Sequence, residues 1–188
     1  MNDKGDLVRL LDLDPDFVIE LKYATSNNFT GQAIYASNEC YINKNTAKLL
    51  IEAKNIFQSD GYRVKILDAY RPIRAQKRFY EILPDPNFVA PPPDISNVTK
   101  FRANHLNGLC VDLTLIDQNG NEIEMPSAFD DFTEKASLSC QTISETGRKN
   151  ATYMKQVMER VGFEGYEYEW WHFYDRRTPP TAFLDFPI

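Results

Sequence analysis

Leu109, Val111, Leu113 and Leu115 alternate with Cys110, Asp112 and Thr114. A period of two over seven residues sends successive side chains to opposite faces, so the stretch reads as a strand. Asn107-Gly108 in front of it reads as a turn. Around this strand the other elements can be placed. Asn45 is expected to cap a helix in which Ala47, Leu50, Ile51, Lys54 and Phe57 recur at helical spacing, ended by Gly61. Arg63 to Tyr70 alternates polar and apolar residues over its first half and reads as a strand. Pro72 suits the first turn of a helix running through Ile73, Phe79 and Ile82, which puts Arg71 at a strand-to-helix junction where a side chain can project into a cleft. Ala151, Met154, Val157 and Met158 mark an amphipathic helix stopped by Gly162, and an aromatic strand follows from about Tyr166 to Tyr174. Helices and strands alternate irregularly. The expectation is a single α+β domain over residues 1–188, with a mostly antiparallel central sheet flanked by helices.

The chain has 188 residues, 43% hydrophobic and 26% charged, the balance of a globular protein rather than a disordered one. Its apolar runs reach four or five residues, too short to span a membrane. A net charge of −6 with no basic block speaks against a nucleic-acid partner, since nothing would neutralise phosphates. Met1 to Asp6 lacks the basic-then-apolar pattern of a secretory signal. Three widely spaced cysteines, Cys40, Cys110 and Cys140, argue against a disulfide framework and make a reducing cytoplasm the expected compartment. No CxxC pair offers a thiolate metal site. No repeat or low-complexity tract is present. Five prolines in the ten residues from Pro84 to Pro93 predict an irregular loop. The aromatic excess leaves room for self-association into a homo-oligomer, with no pattern to locate its surface.

Chemistry concentrates in two short segments. The chain has two histidines, and each lies near a carboxylate: His105 with Asp112, and His172 with Glu169. Seven residues apart, His105 and Asp112 cannot share a face of one regular strand, but the Asn107-Gly108 turn lets His105 enter from a loop. The spacing of three between Glu169 and His172 likewise needs a bulge or bend. Two imidazoles and one carboxylate are a ligand set for a catalytic zinc with an open position for water, and a carboxylate that is not a ligand can serve as general base. Each residue alone also has a plain structural reading: a satisfied core histidine, or an aspartate acting as cap or arginine partner. Arg71 could aim at the oxyanion of a tetrahedral intermediate or form a surface ion pair. The aromatics from Tyr166 to Tyr174 read as core and pocket wall.

These segments resemble a known family. His105…Asp112 is similar to the SxHxxGxAxD signature, and Glu169-Trp170-Trp171-His172 to the ExWH signature, of the VanX-type D-alanyl-D-alanine dipeptidases, zinc enzymes related to D,D-carboxypeptidases and the hedgehog domain. Leu21 to Thr25, Asn28 to Gly31, Asp68 to Pro72, Phe129-Asp130, Gly162-Phe163 and Asp185-Phe186-Pro187 fall in family order. The resemblance implies His105, Asp112 and His172 as ligands of one Zn2+ per chain, and Glu169 as general base. It implies Arg71 as the transition-state arginine, Asp130 as the carboxylate receiving the dipeptide's free amine, and Tyr23 as a pocket residue nearby. Two positions depart from the pattern: Ala103 replaces its serine and Cys110 its alanine. Cys110 is read as a small buried residue. The implied activity is cytoplasmic hydrolysis of the small dipeptide D-Ala-D-Ala, for glycopeptide resistance or for D-alanine salvage. The alternatives are a D,D- or L,D-carboxypeptidase acting on cell-wall peptides, which would need export, and a non-catalytic zinc-binding module. A His/His/Asp site would also accept cobalt, nickel or iron.

Overall fold

The structure is a computed structural model describing residues 4–85, 89–93 and 104–188. Along the chain run β1 (Leu7–Arg9), α1 (Leu10–Leu13), β2 (Val18–Ile19), β3 (Tyr41–Asn43), α2 (Lys44–Ser59), β4 (Arg63–Asp68), α3 (Ile73–Ile82), β5 (Cys110–Ile116), α4 (Glu145–Val161), β6 (Phe163–Tyr166) and β7 (Glu169–Asp175). Short 3-10 turns cover Lys22–Ala24 and His105–Asn107. Five strands form one sheet in the order β2-β4-β5-β7-β6, parallel at β2–β4 and antiparallel elsewhere. β1 and β3 pair antiparallel as a separate ribbon. The α+β class and the mostly antiparallel sheet are those expected. No helix among the described residues is long and apolar enough to cross a membrane.

The alternating segment became the middle strand, and all seven of its residues are buried. Val111, Leu113 and Leu115 join one core with Ala47, Leu50, Ala53 and Phe57 of α2 and Ala151, Met154 and Met158 of α4. Each of the valine, leucine, phenylalanine and methionine side chains among them, once fully buried, contributes about 1.5–3 kcal/mol over its exposed form. Cys110, Asp112 and Thr114 point to the other face. That face carries the polar groups described below.

Element boundaries moved where caps compete. Asn43, not Asn45, caps α2: its side chain accepts from the Asn45 amide, so β3 runs straight into the helix. Pro72 sits at the N-cap of α3 in an extended conformation, one residue before the first turn. The aromatic segment expected as one strand is a hairpin of β6 and β7, turning at Glu167 and Tyr168. Gly162 ends α4 as expected, in a left-handed conformation at φ 112°. Cys40, Cys110 and Cys140 are buried and free. Within the proline-rich segment, Val89 is buried, while Pro86, Asn87 and Asp94 lie outside the described residues, as does Ala103.

Candidate active site

His105 opens the 3-10 turn that precedes β5. Asn104 caps this turn by accepting from the Leu106 amide, and Gly108 closes it at φ 70°. The turn swings the imidazole onto the polar face of β5, where Asp112 already points. The histidine Nδ1 lies 2.6 Å from the Ala69 carbonyl, and a carbonyl only accepts, so Nδ1 carries the proton and the Nε2 lone pair is free. β7 pairs His172 directly with Asp112. In the β6–β7 hairpin, Gly165 pairs with Phe173 but Tyr166 with Glu169, so β7 bulges between its first and fifth residues. That irregularity brings Glu169 back to the same site, its Oε2 3.9 Å from His172 Nδ1.

Three donors converge. His105 Nε2 lies 3.3 Å from an Asp112 oxygen and 3.1 Å from His172 Nδ1, and His172 Nδ1 lies 2.9 Å from the other Asp112 oxygen. For comparison, donors about 2.0–2.1 Å from a tetrahedral zinc would stand roughly 3.3 Å from one another. The cluster thus fits a divalent cation with two imidazole nitrogens and one carboxylate oxygen, and among the described residues it is the grouping that could hold one. Burial pushes Asp112 toward its neutral form, but the two histidines outweigh it and hold the carboxyl well below its usual range. Burial opposes charge on His105, and Asp112 outweighs that, raising its affinity for a proton, which a metal would displace. Glu169 is raised, mainly by burial and further by Asp112, with His172 opposing.

Arg71 follows β4 and is held from several sides. Its Nε and Nη2 donate to one oxygen of Asp68 at 3.1 and 2.8 Å, and its Nη1 donates to Gln76 at 2.8 Å. The rings of Phe79 and Tyr23 lie 4.9 and 5.5 Å from its guanidinium. Asp68 is fully buried and accepts from Tyr35 on its other oxygen at 2.8 Å. Tyr23 donates to Asp130, with both carboxylate oxygens at 3.1 Å. Asp130 adopts a left-handed backbone at φ 57°, and burial, reinforced by the charge of Asp112, pushes its pKa up to about 7.

All seven residues singled out by the sequence line one cavity of about 440 Å³, with Phe29, Phe132 and Trp171 among its apolar walls. Asp68, Tyr35 and Gln76 escaped the sequence reading as site residues. Asp68 stood in a quoted motif, but residues three apart in a strand face opposite ways, so its bond to Arg71 showed only once the chain left β4 after Asp68. Gln76 carried no signal at all, because a glutamine on a helix is ordinary.

The profile of the Peptidase_M15 family, described as D-ala-D-ala dipeptidase, matches residues 3–187. The chain is 36% identical over 173 residues to a D-alanyl-D-alanine dipeptidase of Escherichia coli K12, spanning 92% of this chain and 86% of that one. It is 32% identical over 184 residues to a D-alanyl-D-alanine dipeptidase of Enterococcus faecium (90% and 91% covered). For the protein of that description from Enterococcus faecalis, identity is 31% over 180 residues (87% and 89% covered).

Proposed function

The chain belongs to the Peptidase_M15 D-ala-D-ala dipeptidase family, and from that membership we propose that it is a zinc-dependent enzyme hydrolysing D-Ala-D-Ala to two D-alanines. The observation that carries the reading is the spacing of His105, Asp112 and His172 beside Glu169, in one cavity that Arg71 and Asp130 also line. One zinc per chain would be held by His105 Nε2, an Asp112 oxygen and His172 Nδ1. When bound, it supplies a Lewis acid for the scissile carbonyl and a lowered pKa for water.

The rest falls to side chains. Glu169 takes the proton of the attacking water and passes it to the leaving amine. A carboxylate raised by burial is a better base than a solvated one, because its pKa lies nearer the working pH. Arg71 keeps its charge, since burial, the largest single effect, is outweighed by Asp68, Tyr35, Tyr23 and Asp112 together, and its spare N–H groups face the developing oxyanion. Asp130 receives the free ammonium of the dipeptide, with Tyr23 holding the carboxylate in place. A cavity of this size suits a small ligand. Three buried unpaired thiols fit a cytoplasmic location.

Purified protein incubated with D-Ala-D-Ala, with and without a chelator and with zinc added back, should release D-alanine only when zinc is present. An N-acetylated dipeptide should resist, because it has no ammonium for Asp130. Cleavage of the blocked peptide would favour a carboxypeptidase instead. Stoichiometric zinc binding with no cleavage would favour a non-catalytic module.

A further inference from the structure

Gln76 sits in the first turns of α3, 5% exposed, and lines the cavity. Its Oε1 accepts from Arg71 Nη1 at 2.8 Å, and its Nε2 donates to the Ala90 carbonyl at 2.6 Å. Ala90, with Pro91 and Pro93, is part of the cavity wall. One buried amide therefore ties a charged group of the site to a wall of the pocket.

We propose that Gln76 is a positioning residue that fixes the orientation of Arg71 and, through Ala90, the wall beside it. The inference rests on the reading of Arg71 as the group that stabilises the oxyanion. Asp68 alone does not fix the guanidinium, since both of its contacts from Arg71 end on the same oxygen, Oδ2. A planar group held at one point can rock about it. Phe79 and Tyr23 limit tilting of the plane, and the contact from Gln76 to Nη1 supplies the second in-plane anchor. The amide is the suitable chemistry because it accepts from a cation at one end and donates to a carbonyl at the other. A glutamate in its place would accept but not donate, and a leucine would do neither.

The test uses full-length, zinc-loaded protein carrying Gln76→Glu or Gln76→Leu. It reads kcat and KM for D-Ala-D-Ala, zinc content, and the guanidinium 15N signals of Arg71, assigned with Arg71→Lys. Gln76→Leu should lower kcat by about 100-fold at unchanged zinc content, the scale of a misplacement near 1 Å. The Nη1 and Nη2 signals, separate in the parent protein, should draw together as the group, tethered through one oxygen alone, flips more often about its Nε–Cζ bond. Gln76→Glu should recover most of kcat and keep the signals apart, but raise KM by roughly tenfold as one hydrogen bond to the wall is lost. Separate signals and parental kinetics in Gln76→Leu, even with a lower Tm, would overturn the proposal. Parental kcat in Arg71→Lys, or no hydrolysis by the parent protein, would overturn the reading of Arg71 instead, while the NMR signals still decide whether Gln76 holds it.

Discussion

His105 donates from Nδ1 to the carbonyl of Ala69, 2.6 Å away, at the point where the chain leaves β4 for Arg71. The same stretch of backbone thus sets the tautomer of an imidazole in the three-donor cluster and launches the arginine that lines the same cavity. The amide of Arg71 in turn donates to the carbonyl of His105 at 3.0 Å. His105 and Arg71 are therefore tied through the backbone before either meets a ligand, and a change in one segment displaces the other.

With the tautomer preset and the donors already 2.9–3.3 Å apart, little reorganisation opposes metal binding. Zinc at a hundredfold excess over its dissociation constant should add about 2.7 kcal/mol of stability. For a chain of this length that is a rise in Tm of about 5–11 °C. Scanning calorimetry with and without chelator measures it, and Asp112→Asn should abolish most of the rise. A parent protein whose Tm ignores zinc would remove the case for the site.

Glu169 lies 3.9 Å from His172 Nδ1, beside the cluster rather than within its donor set. Glu169→Gln keeps the size of the side chain and removes the carboxylate proposed as the base. It should bind zinc as the parent does and lose about 10²- to 10⁴-fold in kcat. Zinc content by elemental analysis together with steady-state kinetics checks this. Loss of zinc from the variant would make Glu169 a ligand or a structural support instead.

Much of this site was legible in the sequence because its residues lie in short segments with strong local patterns. The alternation from Leu109 to Leu115 located Asp112 on a strand, and Asn107-Gly108 showed how His105 could reach the same face. Asp130 could be placed only by resemblance, since Phe129-Asp130 lies in irregular backbone with no period to read. The support behind Asp68 was hidden for another reason. Tyr35 is 33 residues from Asp68 along the chain, so their hydrogen bond depends on tertiary folding and leaves no spacing signal. β1, β2 and β3, of two or three residues each, were too short to show alternation. The hairpin of β6 and β7 was read as one strand because aromatic residues continue through its turn.

Asp130 carries a pH dependence. In the metal-free protein its carboxyl should titrate near 7, because burial and then the charge of Asp112 both disfavour ionisation. Below that pH the group is neutral and attracts an ammonium less. A divalent cation beside Asp112 offsets the second of these causes, so zinc should lower the value. Carboxyl 13C NMR titration with and without zinc tests both statements. The apparent KM for D-Ala-D-Ala should fall as the pH rises through the zinc-loaded pKa. Asp130→Asn tolerates the left-handed backbone, and should raise KM about 10- to 100-fold by removing a charge-assisted hydrogen bond. A KM unchanged in that variant would take the ammonium away from Asp130.

Gly108 is the point where the site is least tolerant of an added carbon. At φ 70°, a Cβ there would stand 2.6 Å from Leu7 Cδ2 and 2.8 Å from the backbone nitrogen of Asn43. The leucine can swing away. The Asn43 nitrogen cannot, because it donates to the Gly108 carbonyl at 3.0 Å and belongs to the strand that leads into α2. Gly108→Ala should lose about 1–2 kcal/mol to the left-handed backbone alone, and more to the clash. The turn carrying His105 would shift with it, so zinc affinity should fall alongside Tm. Gly108→Asn separates the causes, since asparagine accepts the left-handed conformation and retains the clash. Equal loss of Tm and zinc affinity in both variants would assign the effect to the contact with Asn43. Full recovery in Gly108→Asn would assign it to backbone conformation and refute the clash.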